Sequence, residues 1–194
     1  MEVSDNYNNE TANFVYHTDV FSKSYYNTIL KYLEMKSYKG GKKKNEIKID
    51  REQLWYEINK NYFCKIWKER YPRWESEEYD YFLLNLQNKI SKKFDVEVNS
   101  CLINKYKDGN DIIAPHKDNN ISFGEYPTII IYSLGCTRNI VIKNDITSKK
   151  LKFVLESNSV FIMSGSSQKY YTHEIPKDTS VDSRYSMTFR KYLS

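Results

Sequence analysis

A chain of 194 residues with 15% aromatics, 18 Tyr, 6 Gly and 4 Pro is neither a disordered nor a collagen-like polymer, and it has room for one domain with its own core. Its net charge of +5 points to an anionic partner. Cys64, Cys101 and Cys136 show no C-x-x-C spacing, which argues against a disulfide framework or a cysteine zinc site and for a reducing compartment, cytoplasm or nucleus.

Residues 1–14 are polar and Asn-rich, lack the apolar stretch of a secretory signal, and are expected to form a disordered tail. No apolar run approaches the roughly 18 residues of a membrane span, so no membrane partner is expected. Residues 21–35 carry Ile29, Leu30 and Leu33 at helical spacing, with Ser22 or Ser24 as the cap. Residues 36–44 follow as a flexible basic loop with five lysines. Residues 47–56 are expected to be extended. Residues 60–74 interleave cations with Tyr62, Phe63, Trp67, Tyr71 and Trp74. Core aromatics with snorkelling lysines are the commoner meaning of such a run, and base stacking the sharper one. A second helix is expected over 76–94, with the stripe Phe82, Leu86, Ile90 and Phe94, and Glu77 and Glu78 in its first turn.

After Asp95 the pattern changes to short β-like runs separated by polar turns: 97–106, 128–133, 139–143, 150–155, 159–163, 170–174 and 184–193. Helices first and strands later predict an α+β fold, mainly β, with a sandwich or jelly-roll core. One domain is expected over 15–194, with helices and a lid in 15–95 and the β core in 96–194.

With only three His in the chain, any metal site must use nearly the whole supply. His116 and Asp118 are two residues apart at the end of an extended segment, so their side chains point the same way. His173 follows 55 residues after Asp118. Two imidazoles and one carboxylate on one face suit a non-haem Fe(II) oxygenase. A lone His-x-Asp is also a common surface pair, and His173 alone also fits a hydrogen-bonded core histidine. The last strand, Arg184-Tyr-Ser-Met-Thr-Phe-Arg190, puts Tyr185, Met187 and Phe189 on one face and Arg184, Ser186, Thr188 and Arg190 on the other. Two always-charged forks on one face suit carboxylates, or a solvated edge strand. Asn104 and Tyr106 share a face in the same manner.

Together these segments resemble the AlkB family of Fe(II)- and 2-oxoglutarate-dependent dioxygenases, and the nucleic-acid demethylases in particular. The resemblance is carried by residues 102–109, His116-Lys-Asp118, Pro127, Ser133-Leu-Gly-Cys-Thr-Arg-Asn139, Phe161-Ile-Met-Ser-Gly165, Thr172-His173 and residues 184–190. A weaker likeness covers residues 49–56, where Asp50 and Glu57 stand in place of the family's Pro and Gly. The resemblance implies a double-stranded β-helix with supporting N-terminal helices and a substrate lid. It implies Fe(II) on His116, Asp118 and His173. Arg184, assisted by Tyr106, would hold the distal carboxylate of 2-oxoglutarate, and Arg190 and Asn104 the carboxylate beside the keto group. Ser186 stands where the family has Asn and offers a shorter donor. With O2 the expected reaction oxidises an N-linked methyl group, which leaves as formaldehyde.

The implied substrate is a base in nucleic acid, exposed from its stack. Arg51, with Trp55 or Tyr56 as the pocket wall, is expected at the substrate, and Asn120 beside the base without a charge to favour a cationic lesion. Lys42, Lys43 and Lys44 sit where duplex-specific relatives carry an apolar finger. Lysines neutralise phosphates but do not fill a base-sized gap, so single-stranded DNA or RNA is favoured, acted on by a monomer. A protein hydroxylase or demethylase, and a catalytically silent nucleic-acid-binding module, are the alternatives. The complete set of His116, Asp118, His173, Arg184 and Arg190 speaks against silence.

Overall fold

The structure, a computed structural model, describes residues 1–42, 48–67, 71–179 and 181–193. The chain opens on a hairpin. Strand β1 (Glu2–Tyr7) pairs antiparallel with β2 (Glu10–His17) across Asn8 and Asn9, whose φ values are +52° and +63°. Asn enters that region more cheaply than most residues, and two in a row make a turn whose twist matches the strands it joins. β2 then pairs with β11 (Ser159–Gly165) in the large sheet. Residues 1–14 are therefore sheet, not the disordered tail expected. Glu2, Ser4 and Asn6 are polar because they occupy the exposed face.

Helix α1 (Lys23–Glu34) begins where Ser22 Oγ accepts a hydrogen bond from the Tyr25 amide at 3.3 Å, and it buries Tyr26, Ile29, Tyr32 and Leu33. The basic segment that follows is less of a loop than expected, because β3 (Lys39–Lys42) is an edge strand on β4 (Lys48–Glu57). Lys43 and Lys44 lie outside the described residues. Lys36 Nζ meets Asp80 at 2.7 Å, and Lys39 ion-pairs with Glu77. These two lysines of the segment are held by acids of the chain itself.

Helix α2 spans Tyr81–Phe94, later than the start at 76 that placed Glu77 and Glu78 in its first turn. Asp80 is the reason: its carboxylate accepts from the Leu83 amide at 2.9 Å and fixes the N-terminus there. Ser76–Glu77 is instead a short strand, β5, parallel to β4. Asp95, at φ +52°, ends the helix.

The remaining strands are β6 (Ser100–Tyr106), β7 (Ile113–His116), β8 (Ile129–Gly135), β9 (Arg138–Asn144), β10 (Lys150–Leu155), β12 (Tyr171–Ile175) and β13 (Arg184–Arg190). Among the described residues the large sheet runs β1-β2-β11-β8-β13-β6-β4-β3, with β5 against β4, and the small sheet runs β10-β9-β12-β7. Short helices α3 (Asn120–Phe123) and α4 (Ser167–Tyr170) lead out of β7 and into β12. This is a jelly roll with helices on one side.

The alternation of β13 divides the core. Tyr185, Met187 and Phe189 pack with Ile29, Leu33, Leu83, Leu86 and Ile90 of α1 and α2. The opposite face of the large sheet meets the small sheet, where Ile131, Phe161, Ile140, Ile142 and Phe153 fill one half of the space. An aromatic cluster of Trp55, Phe63, Trp74, Phe123 and Tyr192 fills the other half. Each fully buried apolar side chain contributes about 1.5–3 kcal/mol, so both halves are firmly anchored. The cavity described next opens between them.

Candidate metal centre

β7 and β12 run antiparallel, and their register sets His116 directly opposite His173. The two rings stand 4.2 Å apart between centroids. Asp118 follows two residues beyond His116, and its Oδ1 lies 3.8 Å from His116 Nε2 and 4.0 Å from His173 Nε2. One ligand atom from each residue falls within 4.8 Å of the others. Ligand atoms bound at about 2.0–2.2 Å to one small cation sit about 3–4 Å from each other, so the set converges on a single ion.

The protonation states suit that role. His116 Nδ1 faces the Ala114 carbonyl at 2.9 Å; donation there leaves the Nε2 lone pair for a metal. Burial, reinforced by His116, pushes the His173 imidazole down to about 3. Burial lowers His116 as well. Burial alone would raise the Asp118 carboxyl, but Arg190, then His173 and His116, outweigh it and hold it below its usual range. Two neutral imidazoles and one ionised carboxylate leave positions open on a six-coordinate ion, which fits Fe(II). Arg190 Nε donates to Asp118 Oδ2, and Arg190 Nη1 donates to the Thr188 carbonyl at 3.3 Å. The guanidinium thereby fixes the ligand carboxylate.

A cavity of about 600 Å³ surrounds this group, within the usual range for small-molecule sites. Arg184, Ser186, Thr188 and Arg190 all line it, as the alternation predicts. Arg184 is fully buried and donates from Nη2 to Ser133 Oγ at 2.9 Å. Its Nε and Nη1, and the Tyr106 hydroxyl whose ring lies 5.0 Å away, are buried without a hydrogen-bond partner. Such groups are costly in a native interior. A carboxylate fits these donors, so the residues present suit 2-oxoglutarate. Asn104 Oδ1 accepts from Arg51 Nε at 2.8 Å, and its Nδ2 approaches Ser186 Oγ at 3.5 Å. Arg51 Nη1 also donates to the Ile112 carbonyl at 2.8 Å, and its side chain lies at the cavity wall as expected.

Three substrate residues are placed elsewhere. Trp55 is buried in the aromatic cluster and donates from Nε1 to the Asn61 carbonyl at 2.8 Å. Tyr56 faces the helices on the other side of the sheet. Neither lines the cavity; adjacent strand residues point to opposite faces, so only one of the two could face this side of the sheet, and that one, Trp55, is taken up by the aromatic cluster. Asn120 is exposed and also lies off the cavity, which is lined by its neighbour Asn119 instead. Nothing is described of the Lys42 side chain.

The aromatics of 60–74, which the sequence offers as core or base-stacking residues, reach the wall. Phe63, Trp67 and Trp74 bring the 60–74 segment to the cavity, while Phe63 and Trp74 are at the same time buried core. Asn119 caps α3 by accepting from the Ile121 and Ser122 amides at 2.9 and 3.1 Å; an Asn before a short helix is a readable cap signal. Arg138 lies behind the Tyr106 ring at 5.6 Å and donates to the carbonyls of Asp108, Asp111 and Pro176.

Known proteins bear on this arrangement. The profile of the 2OG-Fe(II) oxygenase superfamily matches residues 13–190. The "Alpha-ketoglutarate-dependent dioxygenase alkB homolog 3" of Bos taurus is 30% identical over 146 residues, which is 70% of this chain and 49% of that protein. The "DNA oxidative demethylase ALKBH2" of Arabidopsis thaliana is 29% identical over 119 residues, 49% of this chain and 38% of that one. The "Uncharacterized protein R406" of Acanthamoeba polyphaga mimivirus is 33% identical over 108 residues, 55% of this chain and 56% of that one. The chain thus spans about half the length of the curated relatives it matches. The solved structure of OsALKBH1 superposes with a TM-score of 0.63 at 14% identity, covering 92% of this chain and 97% of that one. A Trichoplax adhaerens prolyl hydroxylase bound to a peptide fragment gives 0.62 at 12% identity, covering 93% of this chain and 83% of that one. At such identities the likeness shows the fold alone. The profile match takes in both metal-bearing strands and the arginine-bearing last strand, and on that ground the chain belongs to the 2OG-Fe(II) oxygenase superfamily; the relatives it resembles within it are AlkB homologues.

Proposed function

We propose that the protein is an Fe(II)- and 2-oxoglutarate-dependent dioxygenase that removes N-linked methyl groups from nucleic-acid bases, single-stranded DNA or RNA before duplex. The observation that carries this reading is one cavity holding both the His116, Asp118 and His173 set and the buried donors of Arg184 and Tyr106. Fe(II) with 2-oxoglutarate and O2 supplies the oxidation of the methyl carbon, after which the methyl group departs as formaldehyde.

The chain's own residues do the rest. His116, Asp118 and His173 hold the ion, and Arg190 keeps the Asp118 carboxylate ionised and oriented. Arg184 and Tyr106 grip the distal carboxylate of the cosubstrate, and Asn104, with Ser186 beside it, and Arg190 face the carboxylate next to the keto group. Ile131, Ile140 and Ile175 line the inner wall and keep water away from the reacting centre. Phe63, Trp67 and Trp74 offer flat apolar faces to an unstacked base. Arg51 adds positive charge suited to a phosphodiester chain. The names of the relatives support the nucleic-acid assignment. The Gly40-Gly41 pair among lysines, with no apolar finger, supports the single-strand preference. The protein acts as a monomer in the cytoplasm or nucleus. Among the described residues no helix is long and apolar enough to cross a membrane.

Formaldehyde release from the same methylated base in single-stranded DNA, RNA and duplex tests this directly. Release is expected to be fastest on one of the single-stranded forms and to weaken as salt rises. Faster turnover of duplex refutes the strand preference. Silence on all three with iron bound refutes the nucleic-acid assignment and favours a protein substrate.

A further inference from the structure

Beyond its three ligands, the metal centre leans on a short helix that no part of the proposed function uses. Residues 117–119 leave β7 without entering another strand, yet Asp118 is buried at 8% exposure. Its amide must find an acceptor inside the protein. That acceptor is Gln168 Oε1, at 2.9 Å. Gln168 belongs to α4 and is itself buried at 7% exposure. Its Nε2 points to Met163 Sδ at 3.8 Å, a weak acceptor.

The next residue of α4 holds the preceding residue of the ligand loop. Lys117 Nζ donates to the Lys169 carbonyl at 2.5 Å and ion-pairs with Asp145 at 2.7 Å. The Asp145 amide in turn donates to the Tyr170 carbonyl at 2.9 Å.

α4 is anchored from its far side. The Ser166 amide donates to the Thr11 carbonyl of β2 at 3.0 Å. Gly165, at φ +61°, lies so close that a Cβ there would fall 2.1 Å from the same carbonyl oxygen. Lys169 Nζ reaches Glu10 Oε1 and the Tyr126 hydroxyl, both at 2.8 Å. The N-terminal hairpin thus seats α4, α4 runs directly into the strand that carries His173, and its Gln168 side chain holds the backbone of Asp118.

We infer that Gln168 is a positioning residue for the metal centre, setting the distance between Asp118 and His173 by clamping the Asp118 amide from the turn that precedes His173. The inference rests on the metal-ligand reading above. Outer partners of metal ligands lower affinity about ten- to a hundredfold when removed. Arg190 already fixes the Asp118 carboxylate from one side; Gln168 supplies the fixed point on the backbone side. A carboxylate with a loose backbone swings about its own bond to Arg190 and meets the two imidazoles less often.

The test uses Co(II) as the probe, added to the metal-free full chain and followed by calorimetry and by its visible ligand-field bands. Gln168→Met matches the side chain in length and removes the acceptor. It is expected to weaken Co(II) binding about ten- to a hundredfold and to alter the band shape. Gln168→Glu keeps an acceptor oxygen and is expected to restore most of the affinity. Unchanged affinity and spectrum in a folded Gln168→Met protein overturn the inference, since a purely structural glutamine changes the melting temperature alone. No Co(II) binding by the unaltered protein instead overturns the metal-site reading on which the inference stands. Amide exchange of the unaltered protein gives a second readout that needs no variant. The Asp118 amide is expected to be strongly protected, and exchange at the rate of an open peptide overturns the clamp.

Discussion

Arg184→Met separates cosubstrate recognition from folding. The guanidinium is fully buried, keeps one well-formed hydrogen bond to Ser133, and beyond its attraction to Tyr106 leaves two N–H groups without a well-formed hydrogen bond. A hydrogen bond to a charged group contributes about 1.5–3 kcal/mol. Losing a two-pronged grip on a carboxylate therefore costs at least about 3 kcal/mol, or more than about a hundredfold in the affinity for 2-oxoglutarate. The effect on the metal-free, ligand-free protein has a different sign. Burying a cation costs several kcal/mol that one hydroxyl partner does not repay, and a methionine of similar length removes that penalty. The variant is expected to fold with equal or greater stability. The assay pairs anaerobic calorimetric titration of 2-oxoglutarate into the Mn(II)-loaded protein with denaturant unfolding of the metal-free protein. A cosubstrate Kd within threefold of the unaltered protein, or a stability loss beyond about 2 kcal/mol, refutes the reasoning and makes Arg184 a structural residue.

Two further expectations concern acid and charge. Folded His173 is held down to about 3, whereas the same group in an unfolded chain titrates near 6.5. As pH falls below 6.5 the unfolded chain takes up a proton that the folded one refuses, so the metal-free protein loses stability down to about pH 3. The loss approaches about 1.4 kcal/mol per pH unit for this group. Asp118, whose pKa is lowered, adds a loss in the same direction below its usual carboxylate range. Urea midpoints at pH 7 and 4.5 check this, and a flat profile contradicts it. Arg51→Ala is expected to weaken nucleic-acid binding evenly across sequences and to reduce the slope of log affinity against log salt by about one. An unchanged slope places Arg51 off the phosphate path and leaves it a brace for Asn104 and the Ile112 carbonyl.

The site was more legible than its surroundings, for reasons of periodicity. Alternation along 184–190 assigned both arginines to the cavity face, and the register of β13 on β6 then brought Arg184 beside Tyr106 and Ser186 beside Asn104. The same rule sends Trp55 and Tyr56 to opposite faces of β4, and packing into the aromatic and helical clusters keeps both off the cavity wall. The N-terminal hairpin was hidden by the polar residues of its exposed face, although Asn8-Asn9 carried the turn signal. The start of α2 was misplaced because Glu77 and Glu78 read as first-turn acids, whereas Ser76–Glu77 is a strand and Asp80 sets the first turn by capping. Gln168 had no signal at all. Its function comes from a contact spanning 50 residues of sequence, which no local pattern records.

The central claim is that His116, Asp118 and His173 hold an iron that oxidises a methyl group on a nucleic-acid base at the expense of 2-oxoglutarate. The most direct measurement is the ratio of succinate formed to methyl groups lost from a methylated single-stranded oligonucleotide, with Fe(II), 2-oxoglutarate and O2 supplied. The account predicts a ratio of about one for the unaltered protein and no methyl loss for a folded His116→Ala variant. Methyl loss that persists in His116→Ala, or an iron-loaded protein that leaves every methylated oligonucleotide intact, contradicts it.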